Sequence, residues 1–443
     1  MLTRIQLENF KSWRELDMEL APITMLFGTN SSGKTAILQS LLLLKQTANS
    51  FDRKQHINLG GNKRDYVDFG SWRDLVSGHN ENLEVVISWE FNFGVGTTFT
   101  DMSYKVSWCQ PPSIDNILIC RLIYGGHFDH DLRIFIDAVR QEDGRYLYVS
   151  SIPDSETKIV TEASPESCYI LPYSEIFAYT TNNKRVYEHT QFHPSYTLFF
   201  DEILAQVNYL GPLRHVPKRS TVWPSVATNV IEPDGNNTIS ALIDAEQKGT
   251  ELTREVSEWL LRMGLADSLQ INPLDFDKRF YETKVRISDK GVYASLLDVG
   301  FGVSQILPVI TLLFFAPEES IILLEQPELH LHPNAQSVLA DLLLHVAEER
   351  KLQLIVESHS EHLLTRLQRR IAESDHAFAS PENIKMYFCD IKDGESVAQP
   401  VEVDEYGQIK NWPENFFGDR GGDLDAMMEA ALAKRRRELE GSG

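Results

Sequence analysis

The first twenty residues alternate, with Leu2, Ile5, Leu7 and Phe10 set against Thr3, Arg4, Gln6 and Glu8. This period-two pattern predicts one or two strands with a turn near Asn9–Ser12. Ile23-Thr24-Met25-Leu26-Phe27 predicts a buried strand, and a helix with an apolar face follows over 33–50. Residues 51–80 are polar and Gly-rich and predict loop. Short β-type runs then follow one another from Leu83–Phe93 to Tyr146–Ser150, separated by turn signals, and predict an antiparallel sheet inserted into the core over 83–200. Residues 190–265 shift to loops and helices, the clearest being Ile239–Gln247 and Glu251–Met263. Strands return over 267–300. Residues 301–375 alternate helix and strand in the pattern of a parallel α/β layer. Residues 383–419 carry more strand signals and an aromatic box, and 423–440 predict a closing helix. No heptad pattern lasts three repeats, so no long coiled-coil arm is expected.

Composition narrows the class. The chain has 443 residues, 42% of them hydrophobic, enough for a substantial core. Its net charge of −22 argues against bulk attraction to nucleic acid, so DNA contact would require a local basic patch. Cys109, Cys120, Cys168 and Cys389 are scattered and form no CxxC pair. That spacing fits a reducing cytoplasm and argues against a disulfide framework or a zinc ribbon. No signal peptide is visible, and the longest apolar run, Ile306 to Ala316, is too short to span a bilayer.

Four stretches carry chemistry. Gly28-Thr29-Asn30-Ser31-Ser32-Gly33-Lys34-Thr35 fits the phosphate-binding loop pattern without a mismatch, between a strand and a helix as that chemistry requires. Small residues let backbone N–H groups cradle the β- and γ-phosphates, and the helix N-terminus adds partial positive charge. Lys34 reaches the phosphates and the Thr35 hydroxyl takes a Mg²⁺ position. In Ile321-Ile322-Leu323-Leu324-Glu325-Gln326-Pro327-Glu328 a buried strand ends in acid, where an α/β sheet presents ligands. Glu325 is expected to hold Mg²⁺ through water and Glu328 to act as general base on an attacking water. Asp298 to Pro308 places Gly300, Gly302, Ser304 and Gln305 before an apolar helix, a second anion cradle for the γ-phosphate of another protomer. Leu354-Ile355-Val356-Glu357-Ser358-His359 is another buried strand, whose His359 is placed to contact a γ-phosphate. A rival reading takes His330, His332, His359 and His362 as metal imidazoles; His359 is better explained by the nucleotide, and His330 and His332 by packing around the loop after Glu328.

In this order the four motifs resemble the ABC-type ATPases of the RecF/SMC/OLD group. Gly28–Thr35 resembles Walker A, and Gly300–Gln305 resembles a degenerate signature motif with Ser304 in the serine role. Ile321–Glu328 resembles Walker B with its catalytic Glu328, and His359 matches the switch histidine. Tyr209–Arg214, Glu325–Pro333, Glu357–Leu363 and Trp412-Pro413-Glu414-Asn415-Phe416-Phe417 are similar to a bacterial family of small ATPases that ends in a WPxxFF box, many of them in antiphage defence operons beside a nuclease or other effector.

The resemblance implies an α/β P-loop ABC-type ATPase head with an inserted β-rich and helical region. Its halves are expected at 1–80 and 267–382, the β-rich insertion at 81–200, the helical insertion at 201–266 and a strand/helix extension at 383–440. It implies hydrolysis of ATP with Mg²⁺ by a cytoplasmic homodimer or higher homo-oligomer, closed through an ATP sandwich and joined to an effector protein in trans. DNA is possible but not favoured, and no membrane is involved. A RecF-like ATPase that clamps DNA is the alternative. The signature reads GFGVSQ rather than LSGGQ, and Gln46 is the one candidate for the Q-loop glutamine. The C-terminal part lacks the length and acid cluster of the nuclease domain that OLD proteins carry, so any nuclease is expected on another chain.

Overall fold

The computed structural model describes residues 1–52, 55–93, 99–111, 116–128, 132–152, 155–171, 193–223, 230–373, 378–413, 425–432 and 434–435. Two sheets share the work. The central one has the order β10-β15-β16-β3-β17-β18, made by Val207–Leu210, Ile321–Glu325, Gln353–Glu357, Ile23–Gly28, Ile384–Lys392 and Glu395–Pro400. Its first five strands run parallel, and β18 closes the edge as an antiparallel hairpin with β17. The strands β15 and β16 are buried at every position and β3 at every position but its last, because helices and a second sheet cover both faces. Strands enclosed in this way read as continuous apolar runs rather than alternating ones.

The two faces bury different sets. Leu26, Leu323 and Ile355 pack with the helix α1, Lys34–Ala48, and with the second sheet. Met25, Phe27, Leu324 and Val356 face the opposite layer. That layer includes α4 (Thr238–Lys248), α5 (Leu252–Arg262), α6 (Phe301–Phe315), α7 (Pro333–Glu349) and α8 (Glu361–Ala372), while α2 (Trp72–Leu75) and α3 (His193–Gln206) belong to the first side. The predicted helices over 239–247 and 251–263 are thus α4 and α5, each within one residue of its expected bounds.

The second sheet is antiparallel, in the order β2-β1-β4-β5-β6-β7-β8-β9. It joins Trp13–Glu19 and Leu2–Phe10 to Val85–Asn92, Phe99–Cys109, Leu118–Phe128, Leu132–Arg140, Tyr146–Ile152 and Ser155–Thr161. The β-rich stretch predicted as an insertion is therefore not a sheet of its own: β4 pairs along β1 from Leu2 to Glu8 and continues the N-terminal hairpin. Trp89, Tyr104 and Tyr124 project from it onto Phe200 of α3. A smaller sheet of Thr221–Val222 (β11), Ser268–Pro273 (β12), Phe280–Arg286 (β13) and Tyr293–Ser295 (β14) precedes α6.

One expectation fails in the second sheet. Cys109 and Cys120 form a disulfide across β5 and β6, their Cα atoms 5.9 Å apart. Separation along the chain gave no hint of this, because a hairpin brings together residues that spacing alone treats as unrelated. Cys168 and Cys389 are free and buried. Among the described residues no helix is long and apolar enough to cross a membrane. Of the aromatic box, Trp412 and Pro413 are described, whereas Glu414-Asn415-Phe416-Phe417 lie outside the described residues.

Candidate active site

The parallel strands β3, β15 and β16 end at one edge. Glu325 is in register with Glu357, and Glu357 with Leu26, so the loop after β3 begins beside two acidic strand tips. That loop is residues 28–35. Gly28 has φ 136°, and a Cβ there would lie 1.9 Å from the Cys389 carbonyl oxygen on β17. Gly33 has φ 88°, and a Cβ would press within 2.8 Å of Ser12, Trp13 and Ser396. Only glycine admits the loop this close to its neighbours. Trp13 Nε1 donates to the Gly33 carbonyl at 2.9 Å, and the Thr29 hydroxyl donates to Asp390 at 3.3 Å. The C-terminal hairpin thus forms one wall of the loop.

Lys34 is 3% exposed, and its ammonium donates to the carbonyls of Gly28 at 3.1 Å and Thr29 at 2.6 Å. Burial lowers its pKa, and Glu357 opposes that shift. Asn30 and Ser31 form the exposed outer turn of the loop, Ser31 with φ 63°, and the buried Ser32 donates to the Thr29 carbonyl at 2.8 Å. The Thr35 hydroxyl donates to Glu357 Oε2 at 2.8 Å.

The acids differ in their fastening. Glu325 Oε1 accepts from the Tyr209 hydroxyl at 2.8 Å, and its own carbonyl accepts from Arg214 Nη2 at 3.2 Å. Burial raises its carboxyl to about 7. Glu357 is also raised by burial, against the Thr35 hydrogen bond and the nearby Lys34. Glu328 Oε1 accepts from the Ser358 hydroxyl and from the His359 amide, both at 2.8 Å. Its Oε2 is buried and has no partner. Burial raises this carboxyl too, and the two donors pull against it. His359 is lowered first by burial and then by Lys34, while its hydrogen bond to the Gly28 backbone acts the other way. It therefore faces the loop with its ring and holds Glu328 with its amide.

The structure joins Lys34, Thr35, Glu328 and His359 at one edge, with Glu325 beside them. It pairs Thr35 with Glu357 rather than with Glu325. Gly302, Ser304 and Gln305 lie in the first turns of α6, where the Ser304 hydroxyl donates to the Phe301 carbonyl at 2.8 Å and Gly302 faces the His330 carbonyl. Among the described residues no hydrogen bond joins Gly300–Gln305 to the loop 28–35. Gln46 is not at the site: its amide is buried, donating to the Asn58 carbonyl at 2.7 Å and accepting from the Val67 amide at 3.1 Å. His332 caps α7, its Nδ1 accepting from the Asn334 amide.

Four residues at the site have no role in the sequence motifs: Glu357, Ser358, Tyr209 and Arg214. Glu357 carries the same signal as Glu325, an acid closing a buried strand, and that rule applied evenly would have found it. The others act through contacts that run between distant parts of the chain.

The donor set fits ATP and Mg²⁺. A hydroxyl and carboxylate oxygens are hard ligands, and Mg²⁺ takes one or two carboxylates together with phosphate oxygens and waters. Among the described residues no three His, Cys, Asp or Glu converge as a metal cage.

No curated protein matches the chain by sequence. Among solved structures it is similar to an SMC head domain from Thermotoga maritima, at 12% identity and a TM-score of 0.41, covering 91% of this chain and 99% of that one. An Smc head domain with an extended coiled coil, bound to the C-terminal domain of ScpA and derived from Pyrococcus furiosus, matches at 12% identity and a TM-score of 0.43, covering 90% and 96%. Residues 380–427 match a family described as a protein of unknown function (DUF3696). Residues 1–197 and 229–364, more than half of the chain, match the family described as an AAA ATPase domain, and the chain belongs to that family.

Proposed function

We propose that this chain hydrolyses ATP to ADP and phosphate with Mg²⁺, at an ABC-type site built on residues 28–35. The observation that carries the reading is the fastening of Glu328. One carboxylate oxygen is held by Ser358 and His359 while the other is buried and unpartnered, on the edge where Lys34 and Thr35 stand. A base must be oriented and must keep one oxygen available for the proton it takes.

In this reading the backbone of Gly28–Thr35 and the Lys34 ammonium bind the β- and γ-phosphates. Thr35, with Glu357 and Glu325, would hold the metal. A bound Mg²⁺ would neutralise phosphate charge and help order the reacting groups. Glu328 Oε2 takes the proton of the attacking water, and His359 couples the loop to the base, so that loss of the γ-phosphate is felt at both. Gly302, Ser304 and Gln305 complete the site on the partner of a C₂ pair. Phosphate release measured with and without Mg²⁺ tests this; a folded protein that releases none in either condition overturns it.

The biological role follows as a finer proposal: a nucleotide-gated regulator within a bacterial antiphage defence complex, acting on an effector supplied by another chain. The net charge of −22 supports a protein partner over the DNA backbone. Duplex binding by the chain alone is expected to be weak, about 10⁻⁴ to 10⁻⁶ M at physiological salt. Nanomolar, ATP-stimulated binding to duplex ends would replace this role with that of a DNA clamp.

A further inference from the structure

The strand β10 borders β15 on the side away from β16, and the turn that follows it carries Arg214. Arg214 Nη2 donates to the Glu325 carbonyl at 3.2 Å. Its Nε and Nη1 are shielded from solvent and have no partner. A guanidinium is donor-only and stays charged, so unused buried N–H groups are costly to keep. The same neighbourhood holds the mirror case, the unpartnered Oε2 of Glu328. Arg214 feels the charge of both Glu325 and Glu328. A cation with spare donors and a carboxylate with a spare acceptor therefore lie together at the edge of the parallel sheet.

A ligand that satisfies both presents anionic oxygens to the arginine and a proton donor to the carboxylate. A terminal phosphoryl group with its attacking water has that chemistry. Arginine suits it better than lysine, because its planar donors match phosphate oxygens.

We propose that Arg214 is a γ-phosphate-contacting residue supplied by the same chain, with Nε and Nη1 donating to the terminal phosphoryl oxygens of ATP. It thereby distinguishes ATP from ADP. This rests on the ATPase reading of the site. A purely structural Arg214, tying β10 to β15 through the Glu325 carbonyl, makes opposite predictions. Removing it would then weaken all nucleotides alike.

The test is calorimetric binding of ADP and of the non-hydrolysable β,γ-imido analogue of ATP to wild type, Arg214→Met and Arg214→Lys, with melting of each nucleotide-free protein recorded. Arg214→Met should weaken the analogue by about tenfold to a hundredfold, the range for hydrogen bonds to charged groups, and leave ADP nearly unchanged. Its melting temperature should fall, since the Glu325 carbonyl loses a donor and Glu325 and Glu328 lose a counter-charge, so the ratio of the two affinities in the folded variant carries the test. Arg214→Lys keeps the charge and most of the stem, and should show the same change in the analogue-to-ADP ratio at smaller size; it carries the test if the Met variant does not fold. A ratio equal to wild type in a folded variant overturns the proposal and leaves the ATPase reading standing, as does parallel loss of both nucleotides. Wild type binding neither nucleotide overturns both.

Discussion

The hydroxyl of Thr35 donates to Oε2 of Glu357 at 2.8 Å, tying the first turn of α1 to the tip of β16. The two residues are far apart in the chain and belong to different motifs, yet they form a hydroxyl–carboxylate pair of the kind Mg²⁺ takes beside a nucleotide. Glu357→Gln keeps the size and the hydrogen bond but removes the charge. The Mg²⁺ concentration giving half-maximal phosphate release should rise by about tenfold or more, the scale seen when support of a metal site is lost. Thr35→Ala should do the same, and the double variant should cost less than the two separate losses combined, because both act on one site. A Mg²⁺ titration of Glu357→Gln identical to wild type would remove Glu357 from the metal site.

Lys34 and Glu328 separate binding from chemistry. Lys34→Ala should lose tight ATP binding by calorimetry with the fold intact, because no other group supplies the same charge inside the loop. Glu328→Gln should bind ATP as wild type does and lose turnover by on the order of a hundredfold or more, the range that general-base catalysis covers. Normal turnover in Glu328→Gln places the base elsewhere; unchanged affinity in Lys34→Ala sinks the loop assignment.

Glu325 makes stability depend on pH. Burial raises its carboxyl from 4.5 to about 7, with Glu357 adding to the shift and Tyr209 and Arg214 opposing it. Between those values the folded chain holds a proton that the unfolded chain has released. The stabilisation from this group is therefore complete below 4.5 and lost as pH rises through about 7. Glu325→Gln mimics the protonated form. The difference in melting temperature between Glu325→Gln and wild type, without nucleotide or metal, should grow in the variant's favour from pH 5 to pH 8. A difference that is flat with pH, or that grows in wild type's favour, contradicts the assignment.

The two cradles, 28–35 and 300–305, can be tested for a shared site. Lys34→Ala should be inactive because ATP is not held, and Ser304→Arg because a bulky cation blocks closure on the opposite γ-phosphate. A heterodimer of the two has one doubly damaged site and one intact site. Mixing the inactive proteins with subunit exchange should restore a fraction of wild-type activity. No rescue, with exchange confirmed by mass measurement, counts against the sandwich.

The sequence by itself determined the elements around this site. Ile23–Phe27, Ile321–Leu324 and Leu354–Val356 read as buried strands because both faces of the central sheet are covered, which leaves the buried Thr24 as the one polar residue in the three runs. The Gly28–Thr35 loop was legible because its glycines answer to local backbone demands, a positive φ and no room for a Cβ. Pairing across the chain was not legible. Cys109 with Cys120, and Gln46 with the 58–67 loop, depend on which segments fold back on one another.

The two acidic strand tips show the division most plainly. In sequence, Glu325 and Glu357 are alike: each closes a buried apolar strand. The tertiary structure separates them through strand order. The strand β16 lies directly beside β3, whereas β15 is one strand further out, roughly 5 Å more across the sheet. A threonine side chain at the start of α1 reaches the nearer tip and not the farther one. Thr35 therefore meets Glu357, and Glu325 is left to Tyr209 and Arg214 from β10 and the turn after it. The order of strands in a parallel sheet is set by how the helices on its two faces pack, and no local pattern along the chain encodes it.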